Sequence, residues 1–298
     1  MRCLIIGVDG SFGGALSQSL HRLGHEVIAT TRRRERAGDH LFLDLAAPLA
    51  PLPQVDVAVI CAAMARLEEC RRYPELARRV NVEAPLEIGR RLTQAGARVI
   101  QLSTSSVFGC LTPHVEESVR PMPRGVYAHL KAEAEARLLE LGAQVTVLRL
   151  TKVVKPNAGL PSEWIRHLGE GKPVRAFDDC RFCPLSVAHV VDAITAVIAG
   201  GQDGIYHLSG AADVSYAEAA MFVAQRIGAA NDLVEPVHGV DSGIPNEELT
   251  PFTSLATGRL ARLNGFVPPE AVEVLQDVYA HEIAAARIAL ATYEGGAR

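Results

Sequence analysis

Cys3-Leu4-Ile5-Ile6-Gly7-Val8-Asp9-Gly10-Ser11-Phe12-Gly13-Gly14 is the stretch on which the fold turns. Residues 3–8 form a short apolar run, suited to a strand buried on both faces. Leu16, Leu20 and Leu23 then recur at helical spacing over residues 11–23. A strand, a glycine-rich turn and a helix in that order open a βαβ unit, with the helix N-terminus presenting N–H groups to an anion. Gly7 ends the strand, Gly10 lets the backbone approach a pyrophosphate, and Gly13 allows close helix–strand packing. The spacing is GxxGxxG rather than GxGxxG. A glycine-rich turn without ligand is the plainer alternative, and the strand before and helix after weigh against it.

Outward from this unit, strands are expected over residues 26–31, 41–45, 55–63, 98–106 and 144–150, with helices over 74–95 and 127–141, each ended by a glycine. Alternating strands and helices imply an α/β fold, a doubly wound parallel (Rossmann) sheet, over residues 1–150. The second half is less regular. Residues 156–161 read as a loop, 164–168 as a short helix, 188–199 and 216–227 as helices, and 204–209 as a strand. Residues 230–270, rich in Pro, Gly and acidic groups, read as loops. No linker is visible. The division expected is a dinucleotide-binding domain of residues 1–150 that takes in roughly 185–210, and a smaller C-terminal α/β substrate lobe of residues 151–184 and 211–298.

Two positions carry chemistry. Tyr127 and Lys131 lie four apart in a helical stretch and so share one face. An ammonium beside a phenol stabilises the phenolate and eases proton exchange. At the end of the second strand an acidic residue would bind the ribose 2′-hydroxyl of NAD. This chain has Thr30-Thr31-Arg32-Arg33-Arg34 instead. Guanidinium groups pair bidentately with phosphate, so Arg32 and Arg33 point to NADP rather than NAD, against the plainer reading of a solvated basic loop. Asp44 and Leu45, at the end of the third strand, are placed near the adenine edge.

The chain has 298 residues, 48% hydrophobic and 21% charged, with a net charge of −4, an ordinary globular composition without a polyanion-binding signature. Nucleic acid and membrane are therefore not expected partners, and no targeting or membrane-spanning segment is read. Of six cysteines, Cys3 and Cys61 read as small core residues, and Cys180-Arg181-Phe182-Cys183 is a lone CxxC without a second pair. No metal site is expected, and the reading is cytoplasmic with reduced thiols.

Gly7-x-x-Gly10-x-x-Gly13, Cys61-Ala62-Ala63, Val80-Asn81, Ser103-Thr104-Ser105-Ser106-Val107-Phe108-Gly109 and Tyr127-x-x-x-Lys131 together resemble the extended or atypical short-chain dehydrogenase/reductase superfamily. Within it the chain is most similar to the dTDP-4-dehydrorhamnose reductase-like branch of the NAD-dependent epimerase/dehydratases. Arg149-Leu150-Thr151, Arg181-Phe182-Cys183-Pro184 and Gly204 to Gly210 are weaker echoes. The resemblance implies Tyr127 as proton donor, Lys131 on the nicotinamide ribose lowering the phenol pKa, and Thr104 polarising the substrate carbonyl. It implies Gly7, Gly10, Ser11, Phe12, Gly13, Cys61, Ala62 and Ala63 around the cofactor, and Asn81 fixing the helix behind the site. Ser105, Ser106, Trp164 and Arg181 are candidates to face the substrate, Arg181 on a nucleotide phosphate. His129 and His189 receive no role.

Departures are informative. Family dehydratases carry Asp-Glu after the Thr and rhamnose-type reductases often Asp-Tyr; here Ser105-Ser106 stands there, which speaks against a 4,6-dehydratase. The implied activity is an NADP-dependent reductase of a nucleotide-linked keto-sugar. The resemblance also leaves a sugar-nucleotide epimerase with retained cofactor, a non-catalytic NADP-binding regulatory subunit, and assembly as a homodimer.

Overall fold

Residues Arg2–Ile6 form β1, and the alternation of its side chains decides both faces of the molecule. Cys3 and Ile5 point into one apolar layer with Leu16, Leu20, Val57 and Val59, whereas Leu4 and Ile6 point into the opposite layer with Ala58, Ile60 and Ile88. Burial on both sides requires helices on both sides, the condition of a parallel sheet. A computed structural model describes residues 1–200 and 203–296. Residues 201 and 202 of the returning segment, and the last two of the expected substrate lobe, lie outside them.

The sheet contains β1, β2 (Glu26–Thr31), β3 (Leu41–Phe42), β4 (Val57–Ile60), β5 (Arg98–Thr104), β6 (Val145–Leu150) and β7 (Gly204–Leu208), all parallel, in the order β7-β6-β5-β4-β1-β2-β3. The strand order reverses between β1 and β4, so a crevice opens there at the carboxyl ends of the strands. The doubly wound α/β expectation holds. Helix α1 (Gly13–Arg22) and the helix Val187–Gly200 cover one face, and Ala84–Gln94 and α2 (Gly125–Leu139) the other.

Several expected boundaries shift, each for a local reason. Gly7 adopts a φ of 98°, which turns the chain, so the strand expected through Val8 stops at Ile6. The strand over 55–63 shortens to β4 because Cys61 and Ala62 both donate to the Ile6 carbonyl, at 3.0 Å each, and leave the ladder. The edge strand over 41–45 ends at Phe42, and Asp44 instead accepts the Ala46 N–H at 3.0 Å. The helix over 74–95 is three runs: Pro74–Arg78, a π-helical turn Arg79–Glu83, and Ala84–Gln94.

The second layer of packing lies beyond β6. Helices Gly159–Gly169, Tyr216–Ile227 and Ala280–Gly296 pack around a separate apolar core. Residues 230–270 are more ordered than their composition suggests. Val234–Val237 pairs in parallel with Val174–Phe177, and Gly258–Asn264 is a helix. Among the described residues no helix is long and apolar enough to cross a membrane.

Candidate active site

The crevice between β1 and β4 is shaped by two close approaches. A Cβ on Gly7 would stand 2.8 Å from the Ala62 Cβ, and one on Gly13 would stand 2.3 Å from the Gly7 carbonyl oxygen. The turn and α1 therefore lie as near to each other, and to Cys61-Ala62-Ala63, as backbone allows. Helix α1 has no side-chain cap and no acidic residue in its first turn, which leaves its first N–H groups for an anion. At the end of β2, Thr30 Oγ1 accepts the Gly7 N–H at 3.1 Å. Arg32 is exposed and has no partner among the described residues, and the Arg33 side chain makes no hydrogen bond. Arg34 is committed elsewhere, its guanidinium 4.7 Å from the Phe42 ring centroid. This cradle, with the guanidinium groups of Arg32 and Arg33 at its rim, fits a dinucleotide carrying an extra phosphate.

One residue of that cradle escaped the sequence. Asp9 accepts a hydrogen bond from Thr31 Oγ1 and pairs with Arg36. Burial works to raise its pKa, but the Thr31 hydroxyl and the Arg36 and Arg33 charges outweigh it and hold the carboxyl below the usual range. An acidic residue between two motif glycines gives no local signal of this contact.

The second half of the site lies at the end of β5 and the start of α2. A pocket of about 40 Å³ is lined by Ser106, Gly109, Cys110, Tyr127, Glu248 and Thr250, among others. Its roof, residues 246–250, is tied down by the Arg71–Glu248 ion pair and by Arg124 donating to the Asn246 carbonyl at 2.9 Å. Thr104 Oγ1 accepts the Ser106 N–H and donates to Ser106 Oγ, each at 3.1 Å. Ser106 thus lines the pocket while hydrogen-bonded to Thr104, whereas Ser105 is buried and does not line the pocket. Burial pushes the Cys110 thiol up to about 12, with the Asp213 charge adding, so this pocket offers no thiolate.

Tyr127 is half-buried, packed with Met64, Cys70, Ala77 and Leu130. Lys131 is 2% exposed and donates from Nζ to the Leu102 carbonyl at 2.6 Å. Burial raises the phenol pKa above its ordinary value, helped by Cys70 and Glu135, and lowers Lys131 to about 8 against the pull of Glu135. The expected lowering of the phenol by Lys131 is therefore not a property of the protein by itself, where burial of the ring dominates. Asn81, in the π-helical turn, donates to the Met64 carbonyl and accepts the Met64 N–H, both at 2.9 Å. It fixes the chain leaving β4 against the helix behind Tyr127.

Beneath Lys131 runs a buried polar chain. Glu135, one turn further along α2, receives Arg149 Nε at 3.0 Å and Nη2 at 2.7 Å. Arg149 Nη1 lies 3.3 Å from His207 Nε2, and His207 Nδ1 lies 3.1 Å from the Val115 carbonyl oxygen. Removing one partner of such a buried pair costs about 3–5 kcal/mol. Glu135 continues the Tyr127–Lys131 spacing along α2, a signal the sequence reading did not use, and its partner gave no local signal.

One expected substrate contact is corrected. Trp164 is 3% exposed in the second core, edge-on to Tyr216 with centroids 6.2 Å apart, so it does not face the cleft. Arg181 lies 3.4 Å from Glu218, whose carboxylate also completes the capping box of the helix Tyr216–Ile227 with Ser215. All six cysteines are free, and Cys183 Sγ contacts Ser209 Oγ at 3.4 Å. His129 Nδ1 lies 2.8 Å from the Gly125 carbonyl oxygen on the outer face of α2, and His189 closes the start of its helix against Ser186.

The family model described as RmlD substrate binding domain matches residues 1–283. A dTDP-4-dehydrorhamnose reductase from Mycobacterium tuberculosis is 28% identical over 244 residues, 79% of each chain. A methionine adenosyltransferase 2 subunit beta from Xenopus laevis is 26% identical over 258 residues, 79% of this chain and 75% of that protein. The crystal structure of dTDP-4-dehydrorhamnose reductase from Bacillus anthracis in complex with NADP superimposes with a TM-score of 0.80 at 20% identity, covering 94% of this chain and 98% of that one.

Proposed function

The chain belongs to the RmlD substrate binding domain family, and we propose that it is an NADP-dependent oxidoreductase that passes a hydride to the keto group of a nucleotide-linked sugar. The observation that carries this reading is the pocket at the end of β5, which Tyr127 and Ser106 both line, with Thr104 hydrogen-bonded to Ser106 and Lys131 a turn further along α2. The bound dinucleotide would supply the hydride. Gly7, Gly10, Ser11, Phe12 and Gly13 would hold its pyrophosphate, Arg32 and Arg33 its 2′-phosphate, and Asp44 and Leu45 its adenine edge. Cys61, Ala62 and Ala63 would flank the nicotinamide end and Lys131 its ribose.

At the reacting carbonyl, Tyr127 gives its proton to the oxygen as negative charge develops there. Burial holds the phenol neutral, the state in which it can donate. Thr104, relayed by Ser106, stabilises the same oxygen. Relatives named dTDP-4-dehydrorhamnose reductase support a keto-sugar as substrate. The test is NADPH oxidation followed with a panel of nucleotide-linked keto-sugars that includes dTDP-4-dehydrorhamnose. One NADPH consumed per sugar is expected; an isomerised sugar without net consumption identifies an epimerase instead. A second reading, a non-catalytic NADP-binding subunit, is favoured by the Xenopus laevis relative, itself named as a subunit. Tight NADPH binding with no turnover across the panel would move that reading to first place.

Cofactor choice gives a separate prediction. Changing Arg32 and Arg33 to Ala should weaken NADPH by about tenfold or more and leave NADH nearly unchanged, since a charge-assisted contact is worth roughly 1.5–3 kcal/mol. Calorimetric titration with both dinucleotides checks this. Equal losses for the two would remove the 2′-phosphate role.

A further inference from the structure

Lys131, Glu135, Arg149 and His207 lie in one buried layer between α2 and the sheet, each no more than 2% exposed. Glu135 is the one carboxylate among them. Arg149 is fixed on it by two nitrogens, with its guanidinium 4.8 Å from the Phe108 ring centroid. His207 is neutral, pushed to about 3 by burial and by the Arg149 charge. On the other sides of Lys131, β5 offers the Leu102 carbonyl, and the helix Leu67–Arg72 brings Cys70 against Tyr127. At the surface Arg78 pairs with Glu133 of α2 itself, and Arg79 with Glu83 within the π-helical turn.

We propose that Glu135, clamped by Arg149, is a positioning residue for Lys131: it supplies the buried counter-charge that keeps the Lys131 ammonium protonated and aimed at the Leu102 carbonyl at neutral pH. Arginine does not release its proton in a protein, so a layer stripped of its carboxylate can shed charge only at Lys131. Burial has already brought Lys131 down to about 8 with Glu135 working against it. At pH 7 that leaves a margin of about tenfold in protonation. The catalytic consequence rests on the reductase reading; the charge state of Lys131 does not.

The chain has four lysines, at 131, 152, 155 and 172. Nitrogen-15 NMR of lysine Nζ in the full-length, cofactor-free protein, assigned with Lys131→Met, therefore reads the titration directly. In Glu135→Gln the Lys131 midpoint should fall by at least about one pH unit. In Arg149→Met, which frees Glu135 from its clamp, it should rise, and in the double variant it should return close to the parent. The alkaline limb of kcat/KM for keto-sugar reduction should follow the same order. A structural role alone does not move a titration in opposite directions in the two single variants. An unmoved Lys131 midpoint in whichever single variant folds overturns the proposal. The expected shifts without any NADPH oxidation by the parent would count against the reductase reading alone.

Discussion

Tyr127→Phe is expected to lower the rate of keto-sugar reduction by roughly 10²–10⁴-fold, the usual contribution of general acid catalysis. The change removes one hydroxyl and leaves the ring, which packs on Cys70, Ala77 and Leu130. Fold and NADPH affinity should therefore stay close to the parent, and the loss should fall on the chemical step in single-turnover kinetics. Thr104→Ala should cost less, because the Ser106 hydroxyl remains at the pocket wall. Thr104→Ser should retain most activity, since it keeps the oxygen that meets Ser106. A Tyr127→Phe enzyme that reduces its substrate at the parent rate would rule out the phenol as proton donor.

Gly13→Ala should abolish measurable NADPH binding and lower the melting temperature. The added Cβ would stand 2.3 Å from the Gly7 carbonyl oxygen and 2.8 Å from Val8 Cα, contacts with backbone that cannot rotate away. Overpacking of this kind costs about 1–3 kcal/mol, and relief requires α1 to move off the turn that presents N–H groups to the pyrophosphate. Gly14→Ala is the control: its nearest neighbour is the Val8 carbonyl oxygen at 3.4 Å, an ordinary contact. Cofactor binding by fluorescence and thermal unfolding on both variants check the pair. Parent-like binding by Gly13→Ala would show that close packing of this turn is not what builds the cradle.

The local periods of the chain were enough to read β1, the glycine turn and α1, and to place Tyr127 and Lys131 on one helical face. Strand and helix repeats are short-range, and each residue's neighbours on a face lie two to four positions away. Thr104 came from the motif Ser103 to Gly109 through the family resemblance, not from a local period. Boundaries were less legible where a long-range bond ended an element, as at the end of β4, where Cys61 and Ala62 both donate to the Ile6 carbonyl.

What the tertiary structure alone decided involves partners distant in sequence. Trp164 looked free for a substrate, yet it is sealed in the second core, and Arg181 meets Glu218, 37 positions on. Asp9 meets Arg36 because β1 and β2 pair, Glu135 meets Arg149 because α2 packs on β6, and Arg149 meets His207 because β6 and β7 are adjacent. Arg149 is 14 positions from Glu135 and 58 from His207. No local repeat spans such separations. Strand order brings these charges together, and burial then makes each buried charge depend on its partner.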